Sequence, residues 1–146
     1  MNITFGNKIS VEDYHYFRKS VGWRELENDL AVKTIENSLF LVTAVDKGKT
    51  VGLTRVGGDG GYTMFITDVI VLPEYQNKGI GNKLMAEAVK YIKEEFLQKG
   101  QSVIVYLMSA KGREPFYRKF GFEDRPNNEF GAGMTQWIKR EDSGLS

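Results

Sequence analysis

The stretch Pro73-Glu74-Tyr75-Gln76-Asn77-Lys78-Gly79-Ile80-Gly81-Asn82-Lys83 sets two glycines between a long apolar run and a helical pattern. The first turn of a helix carries unpaired N–H groups and a partial positive charge, and glycine there lets a phosphate lie against the backbone. Lys78 and Lys83 add charge. The dinucleotide string Gly-x-Gly-x-x-Gly and the Walker ending Gly-Lys-Ser/Thr are both missing, so the loop matches neither of those phosphate sites, and two glycines alone name no ligand. Asp68 is the second residue that asks for chemistry. It is the one charge in the apolar stretch from Ile66 to Leu72, and a carboxylate buried there needs a reason.

Other chemistries are removed by composition. The chain of 146 residues has no Cys, so it has no disulfide framework, thiolate zinc site, iron–sulfur cluster or Cys nucleophile. Its single His, His15, rules out multi-His metal sites and leaves every Ser/His/Asp triad dependent on that one side chain. A helical His beside Tyr14, Tyr16 and Phe17 reads as surface or partly satisfied core. A net charge of +1 supplies no long-range field for nucleic acid or an anionic membrane. The opening residues have no signal-peptide pattern and no apolar run nears about 18 residues, so the expectation is a cytoplasmic protein without a membrane span.

The elements that must position these residues follow from periodicity. Ser10 with Asp13 predicts a helix start, and Tyr14, Phe17 and Val21 keep helical spacing. A second helix is expected over 25–36, with Leu26, Leu30 and Ala31 on its inner side. Strands are expected over 39–45, 50–56 and 62–72, the first two joined by Lys47-Gly48-Lys49 and the last preceded by a glycine-rich turn. Ile80, Leu84, Met85, Ala88, Val89, Ile92 and Phe96 trace an amphipathic helix of about five turns that ends at Gly100. The run 102–108 reads as a strand parallel to 62–72, because a helix separates them. A short helix over 113–120 and a last strand over 134–138 complete the reading. The fold class is α+β, one domain over 1–140 with a mixed, mostly antiparallel sheet flanked by helices, and a flexible tail over 141–146.

Two motifs carry a family resemblance. Val71-x-Pro73-x-Tyr75-Gln76-x-x-Gly79-Ile80-Gly81 resembles the acetyl-CoA pyrophosphate loop of the GNAT superfamily of N-acetyltransferases. Phe116-Tyr117-Arg118-Lys119-Phe120-Gly121-Phe122 is similar to that family's F-Y-x-x-x-G-F segment, one strand later. Val21-Gly22-Trp23, Gly52-Leu53-Thr54-Arg55, Asp68-Val69-Ile70-Val71 and Gly133-Met134 extend the likeness toward the arylalkylamine, plant serotonin N-acetyltransferase-like branch. Where the family often carries Asn after the penultimate long strand, this chain has Ser109-Ala110-Lys111, with Ser109 or Lys111 as substitutes.

The resemblance implies acetyl-CoA as donor, no metal, and direct transfer to a primary amine of a small molecule in a ternary complex. It also implies that the strands 62–72 and 102–108 splay apart around the pantetheine arm. Cofactor contacts then fall on Val69, Ile70 and Val71, on Gln76, Asn77, Lys78, Gly79, Ile80, Gly81, Asn82 and Lys83, and on Tyr117. The N–H of Ile70 or Val71 is the candidate donor to the carbonyl oxygen as it gains charge. Tyr117, whose ordinary pKa is about 10, is the candidate acid for the departing thiolate, against a plain packing role. Asp68 is the candidate base. Its ordinary pKa of about 3.9 means that burial must raise it or water must relay the proton. Pairing with Arg55 and binding of the substrate cation stay open for the same residue. Trp23, with Tyr14 or Phe17, walls an acceptor pocket or plugs the core. Acceptors that are protein N-termini or lysines, a non-catalytic acyl-CoA-binding role and a homodimer are also left open.

Overall fold

Ser10 accepts the N–H of Asp13 through its side chain at 3.1 Å and starts helix α1, Val11–Ser20, as the Ser-x-x-Asp spacing predicts. Helix α2, Asn28–Glu36, begins later than expected, so Leu26 precedes it. From that start Ala31 and Ile35, four residues apart, turn inward, while Leu30 is 47% exposed rather than on the inner side. The strands are β1, Ile3–Gly6; β2, Phe40–Asp46; β3, Lys49–Gly58; β4, Thr63–Val71; and β5, Ile104–Leu107. Between the last two lie a 3-10 turn, Pro73–Tyr75, and helix α3, Ile80–Tyr91.

These elements belong to the first of two units, Met1–Met108 and Ser109–Ser146, in a computed structural model that describes residues 1–140. The tail expected over 141–146 lies outside the described residues. The first unit has the expected α+β architecture, a five-stranded sheet in the order β1-β2-β3-β4-β5. Every neighbouring pair is antiparallel except β4 and β5, which run parallel. In the second unit the expected short helix is α4, Glu114–Arg118. The strand expected over 134–138 does not form, and Met134 and Ile138 are 90% and 85% exposed. A strand needs a ladder partner, and α4 is the only regular element among that unit's described residues.

Helix α3 also ends differently. After Tyr91 the chain widens into a π turn, Ile92–Phe96, and stops short of Gly100. Residues five apart become neighbours in such a turn, which brings Phe96 to 6.1 Å from Tyr91 and 5.9 Å from Phe40 between ring centroids. The rest of α3 lies close on the sheet. A Cβ at Gly52 of β3 would come within 2.9 Å of Leu84 and 3.3 Å of Ile80, so glycine there sets how near the helix sits.

The two faces of the sheet are distinguished by register, since residues opposite each other in a ladder share a face. Phe40 packs on Tyr91, pairs with Val56, and Val56 pairs with Ile66, which puts Ile66 on the α3 face. Leu41 packs with Tyr14 and Ala31 and pairs with Arg55, which pairs with Asp68. Asp68 is therefore on the opposite face, with α1 and α2. On a regular strand Ile66 and Asp68 would share a face. Thr67 is an extra residue between their pairs, a β-bulge held by a 3.1 Å bond from its hydroxyl to the Arg55 carbonyl, and it reverses the side.

Candidate active site

The site is built around the second half of β4. The parallel ladder with β5 runs from Thr63↔Ile104 to Ile66↔Leu107, and β4 continues for five residues beyond it, from Thr67 to Val71. Main-chain groups of alternate residues point to opposite edges of a strand. Leu72 donates its N–H to the Val51 carbonyl at 3.0 Å, so Leu72, Ile70 and Asp68 turn their main chain toward β3. Val69 and Val71 turn theirs to the other edge. The Gln76 side-chain amide donates to the Val71 carbonyl at 3.0 Å from that side. Of the two N–H groups named for the carbonyl oxygen, that of Val71 faces the edge beyond the ladder, and that of Ile70 faces β3.

The loop that follows is shaped by two left-handed residues. Asn77 has φ 62° and Gly79 has φ 81°. Gly79 is the N-cap of α3, where most side chains would be strained. Lys83 is the first helical residue whose N–H bonds back, to the Gly79 carbonyl at 3.2 Å, so the N–H groups of Ile80 and Gly81 precede the intrahelical ladder. Ile80 is buried against the core while Gln76, Asn77, Lys78, Gly79, Asn82 and Lys83 are exposed. Lys78 and Lys49 place their ammonium groups 5.5 and 5.7 Å from the ring centroid of Tyr75. The Tyr75 hydroxyl donates to Asp46 at 3.1 Å, a bond that pushes its pKa up. A helix N-terminus, reversed backbone and lysines are brought together here, an arrangement whose partial positive charge favours an anion.

On the other face, Asp68 is 4% exposed and is held by two donors on one oxygen. The Tyr14 hydroxyl donates to Oδ2 at 2.7 Å and the Arg55 Nε–H donates to the same oxygen at 2.8 Å. Oδ1 is bonded by neither. A further guanidinium N–H of Arg55 reaches the Ser38 hydroxyl at 3.3 Å, and Ser38 donates to the Thr34 carbonyl in α2 at 2.8 Å. Burial raises the Tyr14 pKa, reinforced by the adjacent Asp68 charge. Burial would lower that of Arg55, and the Asp68 carboxylate more than offsets it, so the net shift is upward. The pairing with Arg55 was one of the sequence readings of Asp68. Tyr14 as its second donor was not, because the two are 54 residues apart and nothing local to α1 marks a partner.

Trp23 is half-buried against the core and shares the Arg18 guanidinium with Tyr14, whose ring centroids lie 5.5 and 5.8 Å from it. A depression of about 430 Å³ opens between α1 and the β2–β3 turn, lined by Asp13, Tyr16, Phe17, Lys49 and Leu72 among others. Phe17 lines it and Trp23 does not. His15 faces Asn28 at 3.3 Å.

In the second unit, α4 carries Tyr117 half-buried among rings, 5.1 Å from Phe116 and 6.4 Å from Phe122 between centroids, both edge-on. Burial raises its pKa, only partly countered by Arg113, so the phenol keeps its proton at neutral pH. Arg118 and Asp124 form a two-bond pair at 2.8 and 2.7 Å beyond the helix. Ser109 turns its hydroxyl onto the Ala110 carbonyl at 2.7 Å.

The chain is similar to known acetyltransferases. A GNAT-family acetyltransferase of Streptococcus pneumoniae is 34% identical, with 96% of this chain and all of that chain covered at a TM-score of 0.76. An uncharacterized N-acetyltransferase, ycf52, of Porphyra purpurea is 25% identical over 82% of this chain and 68% of its own length. The histone acetyltransferase TAP1 of Glycine max is 25% identical over 83% of this chain and 55% of its own length. The domain family described as acetyltransferase (GNAT) matches residues 36–124, a span that holds β4, the Gly79 loop and the Tyr117 segment, and the chain belongs to that family of acetyltransferases.

Proposed function

We propose that the chain moves an acetyl group from acetyl-CoA to a primary amine of a small molecule by direct attack in a ternary complex. The observation that carries this reading is the division of labour around β4. The N-terminus of α3 with its left-handed Gly79 cap is on one face, Asp68 is on the other, and the main-chain groups of Val69 and Val71 lie on the edge that runs past β5. A donor laid along that edge meets an acceptor arriving from the α1 and α2 side.

Residues 76–83 hold the pyrophosphate through main-chain N–H groups and the lysines, and Val69 and Val71 align the pantetheine arm. The Val71 N–H stabilises the carbonyl oxygen as the carbon becomes tetrahedral. The amine nitrogen forms a bond to that carbon and the carbon–sulfur bond breaks. Asp68, directly or through a water, receives the amine proton and releases it to solvent, and Tyr117 gives its proton to the thiolate and regains one from solvent, so no net proton is gained or lost. The products are an N-acetyl amide and free CoA. Trp23 borders the acceptor side beside Tyr14. The cysteine-free composition favours a reducing compartment, and the cytoplasm is the location proposed. No helix among the described residues is long and apolar enough to cross a membrane.

A screen of thiol release from acetyl-CoA against aromatic amines, polyamines, aminoglycosides and peptides tests the reading. Turnover with arylalkylamines is expected, in line with the sequence likeness to that branch. Likeness to the histone acetyltransferase TAP1 favours a second reading, a protein acceptor, which turnover confined to peptides would establish in place of the first.

A further inference from the structure

Both hydrogen-bond donors to Asp68 land on the same oxygen. Tyr14 comes from α1 at 2.7 Å and Arg55 from the neighbouring strand at 2.8 Å, and both end on Oδ2. A carboxylate fixed in this way cannot spin about its terminal bond, so the direction of Oδ1 is set by the network rather than by solvent. The network also has an anchor on each side. Tyr14 is fully buried in α1, and Arg55 is bonded onward to Ser38, whose hydroxyl is tied to the Thr34 carbonyl at the end of α2. The Thr67 bulge that reverses the face of β4 is bonded to the main chain of Arg55 itself.

We infer that Tyr14 and Arg55 are positioning residues for acetyl transfer: they hold Asp68 by Oδ2 and present Oδ1 to the acceptor amine. The inference rests on the proposed acetyltransferase reading and adds two residues to it. Arg55 compensates the buried negative charge and Tyr14 sets the angle. Since one carboxylate oxygen is already filled, the acceptor engages Asp68 through a single oxygen, as a primary amine does. A planar guanidinium seeks both oxygens at once. Amines are therefore accepted and guanidines of the same shape bind weakly at this point.

The test is steady-state kinetics of the whole chain with the best amine of the screen, normalised to folded protein by circular dichroism. Tyr14→Phe keeps the ring and loses one bond, and should lower kcat/KM for the amine about tenfold while leaving KM for acetyl-CoA unchanged. Arg55→Gln should lower it about 100-fold, and Arg55→Lys, which keeps a cationic N–H donor, should recover most of that loss. If Arg55→Gln fails to fold, the Tyr14→Phe and Asp68→Asn pair still decides. A residue acting through Asp68 has nothing left to act on once Asp68 is Asn, so Tyr14→Phe/Asp68→Asn should be no slower than Asp68→Asn alone. A network that only braces α1 against the sheet would lower the melting temperature of Tyr14→Phe and leave kcat/KM per folded molecule as in the wild type. That result, or additive losses in the double variant, overturns the inference while the acetyltransferase reading stands. A wild-type chain that turns over no amine and no peptide overturns both.

Discussion

Replacing Gly79 by Val perturbs the donor loop at its tightest point. Gly79 has φ 81°, and a Cβ built there meets nothing within 4 Å, so the cost is torsional and not steric crowding. A side chain held in the left-handed region costs about 1–2 kcal/mol. For a chain of this length each kcal/mol lowers Tm by about 2–4 °C, so a loss of about 5 °C is expected. The strain can relax only toward 76–79, because Ile80 on the other side is buried in the core with Leu84, Met85 and Ala88. Relaxation re-aims the first N–H groups of α3. Each charge-assisted bond from such a group is worth about 1.5–3 kcal/mol, so loss of one weakens acetyl-CoA binding by about 10- to 100-fold. The assay is isothermal titration calorimetry with acetyl-CoA beside a thermal melt, and Gly100→Val is the control. Gly100 has φ 87° and equally open surroundings but lies after the π turn, outside the loop. Gly100→Val should lose similar stability and bind acetyl-CoA like the wild type. Affinity unchanged in Gly79→Val despite the lowered Tm would refute the assignment of the phosphate seat.

Tyr117→Phe should reduce kcat by about 10- to 1000-fold with little change in KM for acetyl-CoA, and a variant as fast as the wild type would assign Tyr117 to packing among Phe116 and Phe122. Asp68→Asn leaves Arg55 facing an amide. It should destabilise by about 3–5 kcal/mol, read as a shift in the urea midpoint, and depress kcat at a temperature where the protein stays folded. A rise in KM for the amine with kcat preserved would instead make Asp68 a cation-binding group. Asp59 has its pKa lowered by the N–H groups of Gly61 and Thr63, so its stabilisation is present above the unfolded value of about 3.9 and is lost as pH falls through the folded value. Urea midpoints of wild type and Asp59→Ala, compared at pH 7 and pH 2.5, should converge on the acid side, and a constant gap would contradict the assignment.

Features that depend on neighbours in the chain were legible before any tertiary structure. Ser10 caps α1 because its side chain reaches an N–H three residues away. Gly79 opens α3 because glycine tolerates a positive φ there, and the loop string and Tyr117 segment together point to the family whose domain covers 36–124. Local reading failed where a partner elsewhere decides. Met134 to Ile138 have the composition of a strand and no ladder to join among their unit's described residues. Leu30 has the right residue type for the core, but the start of α2 at Asn28 turns it outward.

Asp68 shows the division most clearly. Its position in an apolar strand made it a candidate, and that follows from residue type and spacing alone. Which face it occupies, which oxygen is filled, and that Tyr14 fills it together with Arg55 depended on the Thr67 bulge and on the β3–β4 register. A side chain's own sterics limit its backbone within a few bonds, and so they can be read along the chain. Register and facing are chosen by packing energy summed over strands and helices far apart in sequence. Only the assembled sheet evaluates that sum, and a single inserted residue reverses its outcome.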